Sequence, residues 1–117
     1  MDLETLFSGS KWDIIKKLSE KSYSPLELSK EINTTVANTS QQLKILEMLG
    51  IIKREKVENH NKKGKPKTRF ALAYDFAYII LLSKDIADKK LLKLNPKQAD
   101  YFKNLLFLEK TKMNQER

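Results

Sequence analysis

Cysteine is absent from the chain, and histidine occurs once. Disulfides, thiolate metal sites, iron–sulfur clusters and cysteine nucleophiles are thereby excluded, and a site of several histidines within one chain is impossible. Glycine and proline are scarce, three of each, too few for a glycine-rich phosphate loop. No apolar run approaches the roughly 18 residues that a membrane-spanning helix requires. The first residues, MDLETLF, are acidic and lack the basic start of a signal peptide. These absences predict a soluble, cytoplasmic protein with no membrane partner, no metal and no cofactor.

What the chain has is positive charge. Lys and Arg number 23 against 15 Asp and Glu, a formal net charge of +8 on 117 residues. Hydrophobic residues make up 40% of the sequence, enough for the core of one domain. A small basic domain suits a polyanionic partner, nucleic acid before membrane. A membrane surface needs cations opposite a broad apolar helix face. The densest cations here lie instead in a loop containing Gly and Pro.

Turn residues and apolar spacing predict the elements. Ser10-Lys11-Trp12-Asp13 reads as an N-cap with an acid at the third helical position, and Trp12, Ile15 and Leu18 continue the helix to about Glu20. Ser24-Pro25-Leu26-Glu27 predicts a capping box with Pro at the first helical position. Leu26, Leu28 and Ile32 form the apolar side of this second helix, and Asn33-Thr34-Thr35 ends it. A third helix is expected from Val36 to Leu49, with Thr39, Leu43, Leu46 and Leu49 inward and Gly50 just beyond its end. Residues 51–57 and 68–74 read as strands around the polar loop 58–67. Periodicity leaves residues 76–94 open between a helix face and a hairpin; the Ile-rich, Tyr-containing first run and the charged centre favour the hairpin. Asn95-Pro96, with Gln98 behind it, starts a last helix through Phe102, Leu105 and Leu106 to about Leu108, followed by a polar tail.

Helix, short helix, sharp turn, longer helix, strand, basic loop and strand is the order of a winged helix-turn-helix. The expected fold class is therefore α+β, mostly helical, with a C-terminal dimerisation extension. Residues 1–74 are expected to be the DNA-binding domain, and residues 75–117 a hairpin plus a dimerisation helix. The second helix packs on the third through Leu28, Ile32, Thr39 and Leu43, which frees the opposite face for a major groove. On that face Ala37, Gln41 and Lys44 point outward, flanked by Asn38 and Ser40; with Gln42 these are the candidate base-reading residues. Asn and Gln can each make two hydrogen bonds to adenine. Solvated helix faces usually carry Glu and Lys, so the run Asn38-Thr39-Ser40-Gln41-Gln42 is unusual for a merely exposed one. Thr34, Thr35, Lys62, Lys63, Lys65, Lys67 and Arg69 are the candidate contacts to the phosphate backbone, which position a protein without reading sequence. Tyr101, Phe102, Leu105 and Leu106 exceed what a lone terminal helix can bury and are the candidate dimer interface.

Other chemistry-bearing residues have plainer readings. His60 has no second ligand near it in the loop and reads as an exposed loop histidine. Trp12 reads as a core or dimer contact before a stacking platform. Asp85 and Asp88 sit at a turn without a metal-binding loop pattern. No catalytic constellation is visible, so no enzyme is expected.

Three segments, Lys11 to Leu18, Ser24 to Ile32 and above all Val36 to Ile52, resemble the ArsR-type winged-helix transcriptional regulators. The resemblance covers about residues 3–74. It implies that the third helix is a recognition helix, ending in a leucine-rich turn, a Gly and the first wing strand. It also implies a homodimer that binds double-stranded DNA, since members often carry a C-terminal dimerisation helix. The metal-sensing members use cysteines, or several histidines and carboxylates on a late helix. With no Cys and only His60, that sensing does not carry over. The alternative reading is an RNA- or ribosome-associated basic winged-helix module.

Overall fold

Local capping fixes most helix boundaries. Described by a computed structural model over residues 2–57 and 67–115, the chain has the order α1 (Leu3–Leu6), α2 (Gly9–Leu18), α3 (Pro25–Glu31), α4 (Val36–Met48), β1 (Ile52–Val57), β2 (Lys67–Leu72), β3 (Asp75–Leu82), β4 (Ala87–Leu94) and α5 (Pro96–Gln115). It is α+β and roughly half helical rather than mostly helical, because the four strands β1 to β4 and the connecting turns take the rest of the chain. A helix-turn-helix-like helical region comes first, then the strands, then a C-terminal helix. Among the described residues, no helix is long and apolar enough to cross a membrane. The chain divides into two compact units, Met1–Ala73 and Tyr74–Arg117.

In the first unit, α3 starts as its sequence predicts. The Ser24 hydroxyl accepts from the Glu27 amide at 3.2 Å, and the Ser24 amide donates to the Glu27 carboxylate at 2.9 Å. Asn33 then takes φ +54°, the left-handed conformation that Asn tolerates better than other non-glycine residues. This single residue turns the chain sharply from α3 into α4. α4 is capped by Thr35, whose hydroxyl accepts from the Asn38 amide at 3.0 Å. It stops where Gly50 adopts φ +78° beyond the Leu49 cap.

α2 departs from expectation. It begins at Gly9 after Ser8, not after Ser10, because Gly9 takes φ +58° and turns the chain out of α1. The Ser8 hydroxyl donates to the Thr5 carbonyl, so α2 has no side-chain cap. Its buried face is Ile14 and Leu18, four residues apart, rather than Trp12, Ile15 and Leu18, whose strict spacing of three drifts around a helix of 3.6 residues per turn. Trp12 is 41% exposed and meets Phe7 edge-on at 6.3 Å. Leu26 and Leu49 are likewise exposed, not core.

The core of this unit is Ile14, Leu28, Leu43 and Leu46, all at most 1% exposed, with Thr39 among them. Each such aliphatic side chain contributes about 1.5–3 kcal/mol by leaving water. Thr39 is accommodated because its hydroxyl donates to the Thr35 carbonyl at 2.9 Å. β1 and β2 pair antiparallel with Ile52 opposite Leu72 and Arg54 opposite Phe70. Tyr23 joins the outer side of β2 through paired backbone bonds with Phe70.

In the second unit, β3 and β4 form an antiparallel hairpin with Asp75 opposite Leu94 and Leu82 opposite Ala87. Its turn closes through the Ser83 amide and the Ile86 carbonyl at 2.8 Å. α5 opens on a reciprocal Asn95–Gln98 cap with bonds of 2.9 and 2.8 Å, and its first turns lie against this hairpin. Its helical, largely long-chain polar residues carry it past Leu108 to Gln115.

Candidate nucleic-acid interface

α4 has one buried side and one open side. Thr39, Leu43 and Leu46 are buried, while Ala37, Ser40, Gln41 and Lys44 are exposed. Positions 37, 40, 41 and 44 recur at helical spacing and share a face. A row of one hydroxyl, one amide and one ammonium therefore stands free on a helix whose back is fixed by the core.

Asn38 and Gln42 behave differently. Both are half-buried and bonded within the unit. The Gln42 Nε2 donates to Asn38 Oδ1 at 3.2 Å, and Asn38 Nδ2 donates to Thr34 Oγ1 at 3.1 Å and to Ser10 Oγ at 3.5 Å. Gln42 Oε1 is buried with no partner. These two amides, with Thr34, tie the start of α4 to α2; their bonds are directed inward.

Of the expected backbone contacts, Thr35 is exposed at the N-terminus of α4 and Thr34 is half-buried beside it. Arg69 is held within the unit. Its Nη1 lies 3.0 Å from Glu27 Oε1, and its Nη2 and Nε donate to the Ser22 carbonyl and hydroxyl at 2.9 and 3.2 Å. It thus clamps β2 to the start of α3. Lys67 occupies the first position of β2, opposite Val57. Lys62, Lys63 and Lys65, with His60, lie outside the described residues.

Sequence reasoning missed Arg54 and Thr68. Between α4 and the β1–β2 pair is a concavity of about 350 Å³, its floor Leu43 and Phe70, its rim Ser40, Lys44, Arg54 and Thr68. The signal for Arg54 was the strand period: Ile52 and Arg54 share a face, so the face that is core at residue 52 reaches the rim two residues later. Arg54 Nε lies 2.8 Å from Glu47 Oε2, and its guanidinium sits 5.4 Å from the Phe70 ring centroid. Away from this face, Lys17 pairs with Glu31 at 3.4 Å; Glu20 first and Glu31 next hold its pKa above the usual lysine value.

On α5, Tyr101 is 64% and Leu106 74% exposed, and Leu105, Phe107 and Leu108 are exposed too. Phe102 is half-buried, edge-on to Tyr101 at 5.5 Å.

Residues 9–54 match the model of the family described as "Bacterial regulatory protein, arsR family". A solved structure described as "Structure of Prokaryotic Transcription Factors" is similar over 86% of this chain and 80% of that one, with 16% identity and a TM-score of 0.45. A search of curated proteins gives no match. The matched segment spans α2, α3, α4 and the start of β1, including the open face of α4. Over residues 9–54 the chain is therefore similar to the arsR family of bacterial regulatory proteins.

Proposed function

We propose that this protein is a homodimeric, sequence-specific regulator that inserts α4 into the major groove and rests the β1–β2 pair, as a wing, on the flanking phosphates. One observation carries the reading: Ser40, Gln41 and Lys44 stand exposed on a helix anchored from behind by Thr39, Leu43 and Leu46. Gln41 is the best base reader of the set, because its amide can both donate and accept at one base edge. Asn38 and Gln42 act as positioning residues through their inward bonds, and Arg69 acts in the same way through Glu27. Lys62, Lys63, Lys65 and Lys67 supply the backbone contacts, with Thr34 and Thr35 at the start of α4. The exposed apolar residues of α5 supply the two-fold contact. A dimer then sets two copies of α4 about 34–36 Å apart, one turn of DNA.

The test compares two variants on specific and random duplexes across a salt series. Replacing Lys63 and Lys65 with Ala weakens both duplexes alike and flattens the slope of log affinity against log salt by about 0.9 per lost phosphate contact. Gln41→Ala lowers affinity for the preferred site by about 1–3 kcal/mol while leaving random DNA and the slope nearly unchanged. Equal losses on both duplexes for Gln41→Ala would remove sequence reading from α4. A structured RNA at matched salt serves as the control, since a helix cannot read the narrow major groove of A-form RNA; preference for that RNA overturns the proposal.

A further inference from the structure

The concavity between α4 and the β1–β2 pair has a chemistry of its own. Its floor is apolar and buried, Leu43 at 1% and Phe70 at 5% exposure. Its rim carries two cations, Lys44 and Arg54, and two hydroxyls, Ser40 and Thr68. Ser40 and Lys44 lie one helical turn apart, so both face the same opening. Hydroxyls and cations converging over an apolar floor make a seat for an anion with several oxygens. A single oxyanion at this place can be shared among guanidinium, ammonium and hydroxyl donors.

Arg54 is positioned before any ligand arrives. Its Nε bonds to Glu47 at 2.8 Å, and its guanidinium lies over the Phe70 ring, 5.4 Å from the centroid. Stacking on an aromatic face and a carboxylate bond together restrict a side chain that is still 58% exposed. Glu47, three residues beyond Lys44 on α4, does not line the concavity itself but reaches it through its bond to Arg54. An anion entering there meets both cations, one of them already held by the Glu47 carboxylate.

We propose that Ser40, Lys44, Arg54 and Thr68 bind one backbone phosphate of duplex DNA, and that Glu47 restrains this contact by competing for Arg54. The inference rests on the DNA-binding reading above and adds a site to it. The phosphate lies between the groove-reading face of α4 and the wing, so it fixes the distance between those two contacts. Water competes for both charges of a partly exposed Arg–Glu pair and keeps it weak, so Arg54 can exchange the carboxylate for the phosphate at little cost. Glu47 therefore lowers affinity for every sequence and keeps non-specific binding down.

Full-length protein is titrated with specific and random duplexes at several salt concentrations. Arg54→Gln removes the guanidinium over Phe70 and keeps a polar side chain, and is expected to weaken both duplexes alike, flattening the salt slope by about 0.9. Arg54→Lys keeps a cation and restores the slope. Glu47→Gln tightens both duplexes about two- to fivefold, the effect of freeing Arg54 from a weak surface pair. In the Arg54→Gln background, Glu47→Gln tightens binding much less, because the cation it restrained is gone. Thermal unfolding of each variant shows that the fold is retained. If Arg54→Gln leaves slope and affinity unchanged while the Lys63 and Lys65 replacement flattens the slope, the phosphate seat is wrong and the DNA reading stands. If the unaltered protein binds no duplex, both fall. If Glu47→Gln tightens binding equally with and without Arg54, Glu47 acts only as general charge and the competition is refuted.

Discussion

Asn38 shows how one position can look like a reader and be a brace. Its side chain accepts from Gln42 and donates toward Thr34 and Ser10. Asn38→Ala leaves half-buried partners without their bonds and is expected to destabilise the protein by about 1–3 kcal/mol in urea unfolding. Gln41→Ala, on the open side, is expected to stay within about 0.5 kcal/mol. Unfolding curves for the two variants that coincide would refute the assignment. The sequence makes the outward direction of Ala37, Gln41 and Lys44 legible, because helical spacing from Thr39, Leu43 and Leu46 sets it. It does not reveal the fate of the flanks, since one partner of Asn38 is Ser10, 28 residues away. Arg69 is similar: its charge places it among the wing cations, and its register beside Ser22 and Glu27 turns it inward.

Among the elements, the turn between α3 and α4 sets the angle at which α4 is presented. Asn33 occupies the left-handed region alone among the described non-glycine residues. Asn33→Val places a β-branched side chain there and is expected to cost about 1–2 kcal/mol, read as a lowered thermal midpoint. Asn33→Gly is expected to leave the midpoint unchanged or to raise it, since Gly enters this region freely. A valine variant as stable as the glycine variant would contradict the backbone argument. The same turn explains what was readable in advance. The Ser24–Glu27 and Asn95–Gln98 caps and the Gly50 stop are short-range devices, and each is spelled out within four residues. The start of α2 differs from its expected place because Ser10 resembles a cap, while Gly9 makes the turn and the Ser8 hydroxyl donates to the Thr5 carbonyl. Residues 76–94 were undecidable by period because their apolar run is continuous; pairing between β3 and β4 decides it.

At the level of the assembled protein, two expectations rest on what the chain exposes and on what it lacks. Tyr101 and Leu106 are largely exposed, so replacing both with Glu changes a surface and not a core. The pair of substitutions is expected to convert a dimer into a monomer at micromolar concentration in sedimentation, and to weaken DNA binding with it. A variant that sediments as the parent does would remove α5 from the interface. Zinc, cadmium or arsenite at micromolar levels is expected to leave DNA affinity unchanged, because the chain has no Cys and one His. A tenfold change, about 1.4 kcal/mol of coupling, would reveal a metal site built otherwise. Trp12, finally, is the single tryptophan, and it stands half-open against Phe7 in the unit that ends at Ala73. Indole emission is therefore a spectroscopic label already written into that unit. Followed beside far-ultraviolet circular dichroism, which sums helices from both units, it tells whether the chain melts as one body or as two.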